Sequence, residues 1–290
     1  MIRLEHDLHV HTFLSECCTS PDQTPANIVR KACELGLKQI GFADHLWANP
    51  ALEPHPFYRR QNWRNIIRLR EELAAIEIPN GLQVLVGCEA EMAGPGRFGI
   101  TPEQAESLDF VLLSTDHFYF EGFVEGPASR TPKALAEHML SMFTAGAQSG
   151  LATVLAHPLI PHGYLDLYEE AMAEISDQQL IDTFGVAAAN GVALEISGNY
   201  LPDRRRAHNF DFALPLRIIS LAKRAGCKFT FGSDAHTLDG MERIRDLEFF
   251  ISTLKLTATD LLPGLAAIIE YPVSEYSSPS TAPDAGESRR

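Results

Sequence analysis

The chain of 290 residues lacks long hydrophobic runs, paired cysteine motifs and an excess of basic charge. No uninterrupted apolar stretch approaches the about 20 residues that a membrane-spanning helix needs, and the first residues lack the apolar core of a signal peptide. The five cysteines are an odd number without CxxC spacing, which disfavours a disulfide framework and suits a reducing compartment. We therefore expect a cytoplasmic protein that does not bind membranes.

The charge balance disfavours a second class of partner. Lys and Arg number 24 against 38 Asp and Glu, which gives a formal net charge of −14. Because phosphate backbones would be repelled by such a chain, we expect no binding to long nucleic acids. A small phosphorylated substrate remains compatible with this charge, since bound divalent cations invert the local field.

What the sequence does contain is a set of seven short apolar runs rich in Val, Ile, Leu and Phe. Such runs are typical of parallel strands that are buried on both faces. We predict one domain over residues 1–273, followed by a disordered Ser- and Pro-rich tail over 274–290. The predicted strands are Leu8–His11, Gln39–Ala43, Gln83–Cys88, Phe110–Ser114, Ala152–Ala156, Val192–Ile196 and Lys228–Phe231.

Helix signals lie between these runs. Thr24 is a suitable N-cap before Pro25 at the first helical position, and Gly36 follows as a stop signal. The alternation of strands and helices predicts an α/β fold with a parallel sheet. Seven strands with polar residues at one rim further predict closure into a barrel. The other predicted helices are Trp63–Ile76, Thr131–Gly146, Ser176–Asn190 and Leu214–Ala225.

Each apolar run stops at or beside a residue that can bind a metal. His9 and His11 are two residues apart, so a strand places both on one face. Asp234 and His236 repeat this spacing at the last strand, and the two pairs converge if the first and last strands are neighbours. Glu89 can bridge two ions through its two oxygens. These imidazoles and carboxylates favour zinc, manganese or iron over calcium or magnesium.

The motifs at these strand ends, in their order and spacing, resemble those of the PHP (polymerase and histidinol phosphatase) superfamily, from about residue 7 to residue 240. The resemblance implies a distorted seven-stranded (β/α)7 TIM-like barrel of the PHP type, with two to three divalent ions. It also implies ligand sets of His9, His11, Glu89 and Asp234 for one ion, of Glu89, His117 and His157 for a second, and of His45 and His236 for a third. The motifs are Asp7-Leu8-His9-Val10-His11-Thr12, Ala43-Asp44-His45, Gly87-Cys88-Glu89, Asp116-His117, Ala156-His157-Pro158 and Gly232-Ser233-Asp234-Ala235-His236.

The loop after His11 departs from the family pattern. Relatives carry Asp or His there as the last ligand of the third ion, whereas this loop reads Ser15-Glu16-Cys17-Cys18. We favour Cys17, whose thiolate would suit zinc or iron. Ligation by Glu16, or by neither residue, stays open.

The resemblance implies a metal-dependent phosphoesterase. Two ions that share Glu89 would also share a water and lower its pKa toward neutrality, so we expect a metal-bridging hydroxide to be the nucleophile. We expect the substrate to be a phosphomonoester of a small metabolite. The alternatives are a nuclease or nucleotide phosphatase of the PHP type, an amidohydrolase-type metal hydrolase and a metal-binding module without catalysis.

Other polar residues are candidates for lesser roles. Glu195 ends the sixth strand, where it would orient a ligand or contact the substrate. Arginine binds phosphate oxygens in bidentate fashion, which makes Arg97, Arg204 and Arg205 candidate substrate contacts, and His162 is a fourth. Asp44 and Asp116, each beside a ligand histidine, are expected to orient ligands rather than to bind metal.

Overall fold

The computed structural model describes residues 2–202, 210–264 and 268–270. Two features predicted above therefore lie outside the described residues, namely Arg204 with Arg205 and the tail 274–290. No helix in the described part of the chain has the length and apolar content of a membrane span.

The seven predicted strands are confirmed, with small shifts at their ends. Two of them continue beyond a short break, so that each is described as two consecutive strands. The strands are β1 (Ile2–Leu4), β2 (His6–Val10), β3 (Gln39–Phe42), β4 (His45–Leu46), β5 (Gln83–Val86), β6 (Cys88–Gly94), β7 (Arg97–Phe98), β8 (Val111–Ser114), β9 (Val154–Leu155), β10 (Ala193–Ser197), β11 (Phe229–Gly232) and β12 (Ile268–Glu270).

The parallel strands pair in chain order. One sheet has the order β2-β3-β5, and another has the order β4-β6-β8-β9-β10-β11. Backbone hydrogen bonds from Gly87 to Phe42 (2.9 Å) and from Glu89 to Asp44 (3.0 Å) join the two halves. On its other side Gly87 allows Phe110 to approach closely, because a Cβ at Gly87 would lie 2.6 Å from the carbonyl oxygen of Phe110.

The first and last of the seven strands are neighbours, as predicted. Val10 forms a parallel bridge with Ala235 just beyond β11. The amide of His11 donates to the carbonyl of Ala235 at 3.0 Å, and the amide of Ala235 donates to the carbonyl of His9 at 3.4 Å. This contact brings the polar end of β2 to the polar end of β11.

The five predicted helices are also confirmed. Thr24 accepts a hydrogen bond from the amide of Asn27, and Ser176 forms a capping box with Gln179. The helices are α1 (Pro25–Glu34), α2 (Trp63–Ala74), α3 (Pro102–Glu106), α4 (Pro132–Ala147), α5 (Tyr168–Ala173), α6 (Asp177–Ala189), α7 (Ala213–Arg224), α8 (Arg243–Asp246) and α9 (Glu248–Leu254).

Several short elements have no counterpart in the prediction. β1 pairs antiparallel with β12, and β7 pairs antiparallel with β6. Helices α3, α5, α8 and α9 are too short to produce a clear periodic signal. The core is formed mainly by apolar side chains between the strands and the helices. A smaller apolar cluster lies among the strands and contains Leu8, Ala43, Leu85, Phe110, Leu112, Val154, Ala156 and Ala193.

Candidate metal centre

The strand-end residues singled out from the sequence meet in one buried cluster. It lies where the parallel strands reach their carboxyl ends, the edge at which α/β proteins bind ligands. His9 and His11 are fully buried, and His45, Glu89, His117 and His157 are at most 6% exposed. The side chains of Asp234 and His236 are 13% and 33% exposed and lie at the rim.

Glu89 is at the middle of the cluster. Its Oε2 atom lies 2.9 Å from Nδ1 of His45 and 3.3 Å from Nε2 of His9. Its Oε1 atom lies 3.0 Å from Nε2 of His157 and 3.7 Å from Nε2 of His117. One carboxylate thus faces two separate groups of imidazoles, which is the arrangement that a bridging ligand requires.

The first group combines the histidine pair at the end of the first strand with Asp234 at the end of the last. The Nε2 atoms of His9 and His11 are 3.1 Å apart. Oδ1 of Asp234 lies 3.0 Å from Nε2 of His11 and 3.5 Å from Nε2 of His9. Asn199 donates to the other oxygen of Asp234 at 2.6 Å. Asp234 has a positive φ of 54°, a backbone state that non-glycine residues adopt mainly where the surrounding structure enforces it.

The second group contains His117 and His157 together with Asp116 and His162. The potential donor atoms of these four residues lie within 4.8 Å of one another. Asp116 contacts Nδ1 of His157 at 3.1 Å, so its carboxylate lies behind that imidazole.

The third group contains Cys17 rather than Glu16. The potential donor atoms of His11, Cys17, His45 and His236 also lie within 4.8 Å of one another. Glu16 instead faces Arg60, with 3.8 Å between its carboxylate and the guanidinium. A hydrogen bond with Cys18, together with burial, raises the pKa of Cys17 to about 11. The metal-free thiol is therefore neutral, whereas a coordinated thiol would lose its proton.

The far nitrogen of several imidazoles is occupied by an acceptor. A donating Nδ1–H fixes the tautomer and leaves the Nε2 lone pair directed at the cluster, as in histidines that bind metal. The Nδ1 contacts are His9 with Glu195 at 2.7 Å, His11 with Ser15 at 3.2 Å, His117 with Glu91 at 2.8 Å and His157 with Asp116 at 3.2 Å.

The charges of the cluster also suit a cation. Burial alone would raise the pKa of Glu89, but the imidazoles of His45 and His9 hold that pKa well below its usual value. The pKa of Asp234 is likewise lowered despite burial, mainly by His9 and by the hydrogen bond with His11. Nδ1 of His45 is buried and faces Oε2 of Glu89 at 2.9 Å. Ionised carboxylates and directed imidazoles form a donor set that fits divalent transition metals.

A cavity of about 240 Å³ opens above the cluster. Aromatic side chains form much of its wall, and among the described residues that line it none is Lys or Arg. Its lining is Cys17, His45, Phe57, Glu89, His117, Tyr119, Phe120, His162, Asn199, Asp234 and His236.

The other residues predicted to contact the substrate or to orient ligands differ in their distance from the cavity. His162 lines the cavity. Arg97 does not, because its guanidinium donates to the backbone carbonyls of Ala93 (3.4 Å) and Phe123 (3.2 Å). Glu195 lies behind the cluster, where Oε1 contacts His9 and Oε2 accepts from the amide of His157 at 2.7 Å. Asp44 accepts a hydrogen bond from the hydroxyl of Ser15 at 2.6 Å, and the same hydroxyl contacts Nδ1 of His11.

Two buried residues escaped the sequence reasoning. Glu91 accepts a hydrogen bond from Nδ1 of His117 and another from the hydroxyl of Tyr58, at 2.8 Å and 2.5 Å. Glu91 is two residues after Glu89 on β6, so the strand period could have indicated that both face the same way. Tyr58 carries no such signal, because it comes from a loop between strands.

Comparison with known proteins agrees with this geometry. A model of the PHP domain matches residues 7–199, which is more than half of the chain. The chain belongs to the PHP domain family. The matched region of this PHP domain protein includes His9, His11, Glu89 and His157, and it stops before Asp234.

Relatives of this PHP domain protein cover most of its length. A probable phosphatase from Syntrophotalea carbinolica is 25% identical over 235 residues, or 81% of each chain. A probable phosphatase from Aliivibrio fischeri is 27% identical over 250 residues, or 86% of this chain and 84% of that one. Histidinol phosphate phosphatase from Lactococcus lactis, solved with zinc, L-histidinol and phosphate, has a TM-score of 0.59 at 18% identity and covers 87% of this chain and 94% of that one. That structural likeness shows a shared fold.

Proposed function

We propose that this PHP domain protein is a metal-dependent phosphoesterase that hydrolyses a phosphomonoester of a small metabolite. The main support for the proposal is the position of Glu89, because its two oxygens face separate groups of histidines at the base of one cavity. The relatives named probable phosphatases support the same class of enzyme. The cavity volume of about 240 Å³ favours a small substrate over a nucleic acid chain.

The donors divide among up to three ions of zinc, manganese or iron. When bound, the ions would supply positive charge to the phosphate oxygens and lower the pKa of a water molecule, so that hydroxide forms near neutral pH. The proposed ligands are His9, His11, Glu89 and Asp234 for the first ion, Glu89, His117 and His157 for the second, and Cys17, His45 and His236 for the third.

The protein's own contribution is to hold these donors in place before substrate arrives. Glu195 accepts a hydrogen bond from His9 and another from the amide of His157, so one buried carboxylate orients donors of two ions. Asn199 restrains Asp234 in the same way. Preorganised donors need no rearrangement as charge develops on the phosphate, which is the larger part of catalysis in such sites.

We also infer that the seven parallel strands close into a distorted barrel within one domain over residues 1–273. The hydrogen bonds between His9, His11 and Ala235 join the first strand to the last. The apolar cluster drawn from the strands would fill the interior beneath the donors, as side chains fill small barrels.

The proposed activity is tested by phosphate release. Purified protein loaded with Mn²⁺ or Zn²⁺ is incubated with a panel of small phosphomonoesters, histidinol phosphate included. The double variant His9→Ala/His11→Ala serves as the control. Release from at least one substrate by wild type, but not by the control, is expected. If no substrate is hydrolysed faster by wild type than by the control, the proposed function is wrong.

A further inference from the structure

The turn after β9 presents His162 to the second group of donors. The amide of His162 donates to the carbonyl of Ile160, and that of Tyr164 donates to the carbonyl of Pro161, both at 2.8 Å. Gly163 has a φ of +101°, and a Cβ there would lie 2.9 Å from the amide nitrogen of Tyr119. The turn therefore packs closely against the segment that carries His117, which restricts where the imidazole can go.

The imidazole of His162 meets both histidines of the second group. Its ring centroid lies 5.0 Å from that of His157 and 5.3 Å from that of His117, with interplanar angles of 80° and 68°. In each of these near-perpendicular contacts the edge of one ring approaches the face of the other. Its potential donor atom is within 4.8 Å of theirs, and the side chain lines the cavity together with Glu89.

We propose that His162 is an additional nitrogen ligand of the second ion, beside Glu89, His117 and His157. The inference rests on the proposed metal centre and deepens it. Asp116, the fourth member of the group, already accepts from Nδ1 of His157, which leaves three imidazoles and one carboxylate oxygen to face the ion. Four protein ligands of this kind form a set that suits zinc and that holds the ion without help from substrate.

The consequence is a difference in retention between the ions. The second ion gains a protein ligand from a turn that makes its own backbone hydrogen bonds, so it should resist removal by chelators. Loss of His162 should weaken binding of this ion more than binding of the first ion, which Glu89 holds together with His9, His11 and Asp234 from the ends of β2 and β11.

The test compares His162→Ala with His138→Ala in the full-length chain. His138 is a matched control, because it is a histidine on α4 that contacts the carbonyl of Glu125 at 2.7 Å and is not part of the cavity wall. Each protein is loaded with Zn²⁺ or Co²⁺ and titrated with a competing chelator, and the bound ions per chain are counted. Circular dichroism checks that each variant is folded, and His162→Gln provides a second, less disruptive variant.

We expect one ion to bind at least about tenfold more weakly to His162→Ala and to His162→Gln than to wild type. The visible spectrum of the Co²⁺-loaded variants should also differ from that of wild type. The His138→Ala variant should match wild type. Unchanged ion affinity and an unchanged Co²⁺ spectrum in folded His162 variants would overturn the proposal, even if the KM for a phosphomonoester rises. If His162 proves not to be a ligand but the wild-type protein releases phosphate, the proposed function is retained. Wild type that binds no ion would overturn both.

Discussion

The carboxylate of Glu91 lies 2.8 Å from Nδ1 of His117 and also accepts from the hydroxyl of Tyr58. Tyr58 from a loop, Glu91 from β6 and the proposed metal ligand His117 are thus connected by two consecutive buried hydrogen bonds. Because His117 donates through Nδ1, its Nε2 atom is left to face Glu89. Glu91 is therefore a positioning residue, and its effect should reach the centre through His117.

We predict that Glu91→Gln, which removes the negative charge beside Nδ1 of His117, weakens binding of the second ion by about 10- to 100-fold, the usual cost of mutating such a partner. Chelator competition measures this change. Glu103→Gln, at an exposed position at the start of α3, is the control and should behave as wild type. The role assigned to Glu91 is wrong if its ion affinity equals that of the control.

Cys17 and Cys18 offer a second matched comparison. Only Cys17 has its sulfur within the group of His11, His45 and His236. A thiolate ligand gives a Co²⁺-loaded protein a sulfur-to-metal charge-transfer band in the near ultraviolet. We predict this band in wild type and in Cys18→Ser, and its absence in Cys17→Ser. A band that survives in Cys17→Ser would exclude Cys17 as a ligand of the third ion.

Gly232 lies where a side chain would disturb the orientation of His9. A Cβ at this position would meet the carboxylate of Glu195 and Cβ of His9. We expect Gly232→Ala to lower the free energy of unfolding by about 1–3 kcal/mol, the usual cost of overpacking, and to weaken metal binding. Urea denaturation and ion titration measure the two effects.

Gly185→Ala is the control for that substitution. Gly185 lies in α6, and a Cβ there meets no atom within 4 Å. Alanine favours a helix over glycine by up to about 1 kcal/mol, so this variant should be as stable as wild type or more stable. Equal stability of Gly232→Ala and wild type would show that the site tolerates a side chain.

Removal of metal should destabilise the protein. The buried carboxylates and imidazoles bind ions only when the fold brings them together, so ions favour the native state. At a free ion concentration 100 times Kd, the gain is about 2.7 kcal/mol per ion. Thermal unfolding in EDTA should give a lower Tm than unfolding with added Zn²⁺. An identical Tm would argue that the native state has no specific site.

Much of the fold could be predicted from the sequence because the candidate metal ligands lie at the ends of the strands. Parallel strands buried on both faces leave short apolar runs, and the polar residue that ends each run marks the functional edge. This pattern alone predicts that His9, Glu89 and Asp234 lie at one edge. The short antiparallel pairs β1–β12 and β6–β7 were missed, since elements of two or three residues show no period.

The residues behind the donors were harder to predict. Tyr58 reaches Glu91 across 33 positions of sequence, and such a contact depends on how a loop folds back over the sheet. The choice between Glu16 and Cys17 depends on the same kind of information. Adjacent residues point in different directions, and only the backbone of the loop decides that Glu16 turns toward Arg60.

The central claim is that phosphate ester hydrolysis depends on ions bridged by Glu89. The most direct measurement adds Zn²⁺ or Mn²⁺ stepwise to metal-free protein and follows bound ions and phosphate release together, in wild type and in Glu89→Gln. We predict that release by wild type rises with bound metal, and that Glu89→Gln is slower by about two orders of magnitude or more at saturating metal. Equal release by metal-free and metal-loaded wild type, or wild-type release by Glu89→Gln, would contradict the account.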